Sequence, residues 1–392
     1  MKITNMLKLT FWKSIGIIIM LVGAYSSYIR FTKGLGASTN LTDSVPWGLW
    51  IGFDFIGVGL AAAGFTIAAS AHIFNSHKFE PIVRPAVLTA YIGYMLVVLV
   101  LVIDLGRPEN FWHPLIMWNH HSVMFEITWC VICYSTILSL EFAPVVLEKY
   151  KLVKPIKILR NISIPVVVMG VLFSTLHQSS FGSLYLIMPT KVYPLWYSSI
   201  LPVHFFVSCI AAGLSMIIFE SYIFARSLKQ GLDVHLLSGI GKVIGIVLLV
   251  SMGLKFADFA FAQKLSYIFI PCSETYLFWL EIILGSVIPV LIFSNKNFRV
   301  DRQWLYFGSV FTLCGFVLNR MNVSITSLIR SSGQNYTPSF EEISITLMII
   351  VIGMWAFNFV AKNFKVFPKD ASAVETTGKS LTAPNSEIIM GK

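Results

Sequence analysis

Long apolar runs separated by short polar connections repeat from one end of this chain to the other. They lie near residues 11–31, 48–74, 86–104, 122–146, 158–178, 196–225, 240–262, 275–294, 304–321 and 343–361. A helix needs about 20 apolar residues to cross roughly 30 Å of hydrocarbon. The pattern therefore predicts an all-α, polytopic membrane protein of about ten transmembrane helices. The first run carries Tyr25, Tyr28 and Arg30 at its end, with no small-residue cleavage site, so it reads as a retained helix and not a signal peptide. Residues 1–365 form the transmembrane domain on this reading. Residues 366–392, rich in Ser, Thr, Ala and Lys after Pro368, read as a disordered cytoplasmic tail.

Composition agrees with the pattern. With 56% hydrophobic and 12% charged residues and a mean hydropathy of +0.75, the chain is not a soluble domain around one core. The net charge of +10 would suit nucleic acid, but its distribution does not. Most of the basic residues crowd onto alternate connections: Lys2, Lys8 and Lys13, then Lys78 and Arg84, then Lys149, Lys151, Lys154, Lys157 and Arg160. The series continues through Arg226, Lys229 and Lys242, then Lys296, Arg299 and Arg302, then Lys362 and the tail. The opposite side holds only Arg30, Lys33, Arg107, Lys191, Lys264, Arg320 and Arg330. The positive-inside rule assigns the rich side, and with it both termini, to the cytoplasm.

The cysteines form no framework. Cys130 and Cys133 stack on one face of an apolar helix, and Cys209, Cys272 and Cys314 stand alone, as buried structural thiols do. Gly57, Gly59 and Gly64 superficially resemble a dinucleotide loop, but no strand precedes them. Gly57, Ala61 and Gly64 read instead as a face for close helix packing.

Candidate chemistry comes from ionisable residues inside the apolar runs, where they are expensive. Positions along each helix place Asp54, Asp104, Glu126, His177, His204, Lys255, Asp258 and Glu281 toward the outer side. The fifth helix is expected to end in the run His177–Ser180. Lys255 and Asp258 share a helix face and could pair with each other. On the inner side His72, Glu141 and Glu220 lie near helix ends, where side chains can snorkel to water. Each outer acid alone is more often structural than functional, but the set suggests a polar cavity. A quinone suits it, since reduction needs an aromatic slot, donors to the carbonyls and groups that move protons. A transporter would concentrate its polar groups at the midplane. Paired haem ligation has His177 and His204 as its only plausible outer pair, and a stack of two haems is largely dismissed. Glu220 is a candidate for proton entry from the inner side.

Val45-Pro46-Trp47-Gly48 with Trp50 to Asp54, then Asp104-Leu105-Gly106-Arg107-Pro108, Phe111 to Pro114, and His177 to Leu184 resemble motifs of the NrfD/PsrC family. They resemble its HybB-type branch most, as does Asn322 to Thr326 followed by Tyr336 to Ser339. The resemblance spans nearly the whole chain from the second helix onward. It implies two four-helix bundles with flanking helices and a quinone-reactive subunit in a bacterial cytoplasmic (inner) membrane. Asp54, Asp104 and His177 would be quinone-site residues flanked by Trp47 and Arg107. From their placement along the apolar runs, and not from the resemblance, Glu126, Asp258, Lys255, Glu281 and Glu220 are the candidates for proton transfer. The implied substrate is menaquinone or ubiquinone, with no haem, no iron–sulfur cluster and no metal in this chain. The implied partners are a periplasmic ferredoxin-like iron–sulfur subunit and the small and large subunits of a [NiFe] hydrogenase. Polysulfide or nitrite reductase and multihaem cytochrome c complexes use the same family, and a transporter or structural anchor is the reading from a different class.

Overall fold

The computed structural model describes residues 11–72, 80–228, 233–364 and 366. Ten long helical rods account for nearly all of them, and no strand occurs among the described residues. They are α1 (Phe11–Lys33), α2 (Leu49–His72), α3 (Glu80–Asp104), α4 (Val123–Lys149), α5 (Ser163–Leu186), α6 (Leu201–Leu228), α7 (Val234–Phe261), α8 (Ser273–Ser294), α9 (Arg302–Met321, continuing to Ser332) and α10 (Phe340–Asn363). Eight of these are long and apolar enough to cross a membrane, the exceptions being α2, whose described apolar stretch is Leu49–Ala61, and the more polar α9. The chain is a multi-pass membrane protein.

The ends of these rods are written in local sequence. Ser122, Asp233 and Asp301 each accept a backbone N–H from the first turn of α4, α7 and α9. Ser339 and Glu342 cap α10 reciprocally. Two rods contain a π-helical turn, Ile283–Val287 in α8 and Asn322–Thr326 in α9. Pro289 follows the first of them and lacks the N–H that would bond back to residue 285, so the extra residue there relieves a clash.

Packing sorts the rods into two four-helix bundles, α2–α5 and α6–α9, joined along α2 and α6. The pair α1 and α10 flanks the first bundle, with α10 resting on α3. The close approaches occur at small residues. A Cβ on Gly64 would lie 2.6 Å from the Ala90 methyl, and one on Gly57 would strike Val97, so the predicted small-residue face of α2 does pack against α3. In the second bundle Gly285 and Gly315 put the backbones of α8 and α9 in direct contact, and a Cβ on Gly285 would stand 2.6 Å from the Gly315 Cα. Backbone cannot yield as a side-chain tip can. Gly285→Ala is expected to cost about 1–3 kcal/mol, measurable as a lower melting midpoint of the purified protein.

Several helix limits differ from the sequence-based expectation, and two of them move polar residues. α5 does not end at His177–Ser180 but runs on to Leu186, which sets His177 about 13 Å along the axis from that end. α9 continues past Met321 through its π turn to Ser332, so Arg320, tallied above with the outer-side charges, lies well inside the helix. Arg30 likewise lies within α1, 1% exposed. Polar side chains at helix ends look like loop when only hydropathy is read, yet in each case they face a neighbouring helix. The tail at 366–392 falls outside the described residues, apart from the buried Val366.

Candidate functional site

Each bundle holds one polar centre. In the first, α2 contributes Asp54 and α5 contributes His177 and Gln178, all fully buried. The hydroxyl of Tyr94, from α3, lies 2.8 Å from His177 Nδ1. Around them stands an aromatic cage: Phe181 is 4.5 Å from the His177 ring, Phe55 is 4.6 Å from Phe181, and Tyr134 meets Tyr94 edge-on at 4.6 Å. Trp47, half-buried ahead of α2, meets Tyr185 edge-on at 5.1 Å. Helical spacing explains the convergence, because His177, Phe181 and Tyr185 recur at i, i+4, i+8 along one face of α5.

Several buried polar atoms here make no hydrogen bond within the protein. They are both carboxylate oxygens of Asp54, Nε2 of His177, both amide atoms of Gln178 and the hydroxyl of Tyr185. A bond left unmade on a buried group costs about 1–3 kcal/mol. Proteins tolerate that cost where a ligand or water completes the set.

Asp104 closes α3 and is less deeply buried than Asp54, close enough that the two carboxylates interact electrostatically. The cation beside it is not Arg107, which is exposed in the following loop, but Arg30 of α1. The Arg30 guanidinium donates to the carbonyls of Ile103 (2.8 Å) and Leu105 (2.5 Å) and so caps the end of α3. Glu342 lies nearby, fully buried, and accepts from the Asn40 and Ser339 N–H groups and from the Tyr336 hydroxyl. Tyr336 in turn accepts from the Leu49 N–H, which ties the start of α2 to α10. Burial, reinforced by the Glu342 carboxylate, raises the pKa of the Tyr336 hydroxyl. Glu126 is exposed in the first turn of α4 and accepts from Ser180 at 2.5 Å.

The second centre lines a cavity of about 80 Å³ among α6–α9, room for several waters. Lys255 pairs with Glu281 at 2.7 Å, not with Asp258. Glu281, 4% exposed, also accepts from Asn319 (2.8 Å), Asn322 (3.0 Å) and Trp196 (3.0 Å). Both of its oxygens are thereby filled. Asp258 Oδ2 and His204 Nε2 line the same cavity without a hydrogen bond. Arg320 donates to Asn319 Oδ1 (2.6 Å), the Phe205 carbonyl (3.0 Å) and Ser208 (2.9 Å). Its guanidinium lies between the rings of Phe205 (3.8 Å) and Phe316 (4.5 Å). Phe205 also meets Phe55 at 5.7 Å, so one aromatic side chain connects the walls of the two centres. Both π turns fall in this bundle, next to Glu281 and at Asn322, as such turns often do at functional positions.

Glu220 departs from its expected place at the surface. It is 8% exposed on α6, accepts from Thr89 at 3.0 Å, and keeps Oε1 unpartnered. All five cysteines are free, and no cluster of three or more metal-ligating side chains occurs among the described residues.

Of the residues singled out from sequence, Asp54, His177 and Trp47 converge, Asp104 borders them, and Lys255, Asp258 and Glu281 meet in the other bundle. Arg107 and Glu126 stand on the exterior. Sequence reasoning misses Tyr94, Arg30, Asn319, Arg320 and Trp196. The one available signal is an arginine inside the end of an apolar run, as at Arg30 and Arg320.

The family model "Polysulphide reductase, NrfD" matches residues 37–331. The chain is 31% identical to the "Probable Ni/Fe-hydrogenase 2 b-type cytochrome subunit" of Escherichia coli K12, over 86% of this chain and 88% of that protein. It is 26% identical to the "Menaquinone reductase, integral membrane subunit" of Nitratidesulfovibrio vulgaris, over 93% of each. It is 23% identical to the "Hdr-like menaquinol oxidoreductase integral membrane subunit" of Archaeoglobus fulgidus, over 82% of this chain and 79% of that protein. With two four-helix bundles in order and a family match from ahead of α2 to the end of α9, this chain belongs to the NrfD polysulphide reductase family.

Proposed function

We propose that this chain is the quinone-reactive membrane subunit of an oxidoreductase complex, not catalytic alone. It exchanges electrons between a periplasmic ferredoxin-like iron–sulfur partner and the menaquinone or ubiquinone pool. The observation that carries the reading is the set of unpartnered buried polar atoms on Asp54, His177, Gln178 and Tyr185 inside one aromatic cage. The names of the E. coli and N. vulgaris relatives support it, the first pointing to a [NiFe] hydrogenase as the complex. The location that follows is a bacterial cytoplasmic membrane with both termini inside.

Reduction of a quinone consumes two electrons and two protons, one proton on each carbonyl oxygen. The partner supplies the electrons. With the Tyr94 hydroxyl donating to Nδ1, the proton of neutral His177 sits on Nε2, its free atom, and is aimed at a quinone oxygen. Asp54 or Asp104, in the acid form, replaces that proton, and the proton for the second carbonyl oxygen is drawn from water at the loops at the end of α3, beside Asp104. Trp47, Phe55 and Phe181 bound the ring. Quinol oxidation runs the same steps in reverse.

The second centre is assigned to proton transfer through Lys255, Glu281 and Asp258, with Glu220 at the inner entrance and Glu126 at the outer edge. Glu220→Gln is expected to lower proton translocation in vesicles severalfold while quinone turnover with uncoupler is kept. Unchanged translocation would make Glu220 a structural acid bonded to Thr89.

The E. coli relative's name raises the question of haem, and the histidines fit it poorly. His177 is enclosed by Tyr94 and Phe181 in the first bundle, whereas His204 opens on the cavity of the second. Paired axial ligation needs two imidazoles facing one iron. The purified subunit is expected to give no b-type α-band in a reduced-minus-oxidised spectrum, and extraction of the same preparation is expected to yield menaquinone or ubiquinone. A stoichiometric α-band without quinone would replace this reading.

A further inference from the structure

We propose that residues 151–161, on the connection between α4 and α5, form a docking surface for the headgroup of an anionic phospholipid. α4 ends at Lys149, and the chain closes the helix with a paired turn: the Lys151 N–H donates to the Glu148 carbonyl (3.2 Å) and the Leu152 N–H to the Leu147 carbonyl (3.2 Å). That turn puts Lys151 at φ +56°, a left-handed conformation where glycine carries no steric penalty and lysine does. Local structure therefore disfavours the lysine, and its charge is the property left to explain it.

A nine-residue helix, Val153–Asn161, follows. It half-buries Pro155, Ile156 and Leu159 and turns Lys154, Lys157 and Arg160 outward, all exposed. With Lys151, the cations recur at every third residue. None of the four has an ion pair or hydrogen bond to its charged group among the described residues, and the sequence has no Asp or Glu between Glu148 and Glu220. Apolar side chains stand exposed beside them, Val153 at 74% and Ile158 at 62%. A short helix held between two membrane-crossing rods, with unpaired cations next to bare aliphatic groups, matches a phosphodiester headgroup and the first methylenes of its chains.

The test uses the full-length protein in dodecyl maltoside and measures binding of a tail-labelled phosphatidylglycerol, with phosphatidylcholine and inorganic phosphate as the other arms. Wild-type protein is expected to prefer phosphatidylglycerol at least tenfold over phosphatidylcholine, to lose that preference as salt is raised, and to be unaffected by millimolar phosphate. Lys154→Gln/Lys157→Gln/Arg160→Gln is expected to abolish the preference. Lys151→Gly is expected to weaken phosphatidylglycerol binding severalfold with an equal or higher melting midpoint, so it reports even if the triple variant fails to fold. Equal binding of both lipids, competition by phosphate alone, or full retention by Lys151→Gly would each overturn the proposal.

Discussion

Replacing His177 by Ala or Asp54 by Asn is expected to lower quinone-linked turnover by about 10²–10⁴-fold, the range that a positioned proton donor supplies. Reduction of a soluble viologen by the assembled complex should persist, because that reaction bypasses the quinone. Both residues are fully buried, and their free atoms, Nε2 of His177 and both Asp54 oxygens, bond to nothing else in the protein. Asp54→Asn retains size and breaks no internal bond, so loss of activity with normal assembly isolates the chemistry. Tyr94→Phe provides a graded control. It removes the hydroxyl on Nδ1, frees the ring to take either tautomer, and should cost less than His177→Ala. If His177→Ala and Asp54→Asn both keep normal quinone reduction, the site lies elsewhere, and the cavity at Asp258 and Glu281 becomes the next candidate.

Glu281→Ala is expected to give the largest stability loss of any single change in the second bundle, about 3–5 kcal/mol. The carboxylate receives Lys255 and three further donors, and removing it strands an ammonium whose side chain is only 17% exposed, together with the side-chain donors of Asn319, Asn322 and Trp196. Against a total stability of about 5–15 kcal/mol for a folded protein, such a loss should show as low accumulation in membranes and a much lower melting midpoint. Pairing Glu281→Leu with Lys255→Met should recover much of the loss, because the uncompensated charge goes with its partner. A double variant that is stable yet fails to move protons would separate the structural from the transport task of the pair. Glu281→Ala with wild-type accumulation and melting would show that the ion pair is not the element holding α7 to α8.

Much of the architecture is legible in the chain. Ten apolar runs become ten rods, eight of them long and apolar enough to cross a membrane, a property set by length and hydropathy. The small residues Gly57 and Gly64 announce the α2–α3 contact, since only such residues let two backbones approach. The candidate site is partly legible as well: acids and histidines inside apolar runs are few, and Asp54 and His177 prove to be buried neighbours of one aromatic cage.

The sequence by itself thus determined the number and order of the helices, the all-helical class, the small-residue packing faces and a short list of polar residues. Only the tertiary structure decided their partners. Lys255 and Asp258 are neighbours at i, i+3, yet Lys255 reaches across to Glu281 on α8, where Asn319 and Trp196 complete the carboxylate's shell. The cation beside Asp104 is Arg30 from the flanking α1, not Arg107 three residues away, because the chain breaks from helix into an exposed loop between them. His177 sits well inside α5 because the polar run that follows it packs against α4 and α6 instead of ending the helix. The reason is the same in all three cases. Helical periodicity sets which side chains share a face, but in a bundle a buried charge is satisfied by whichever helix packs opposite, and that choice belongs to the assembled fold.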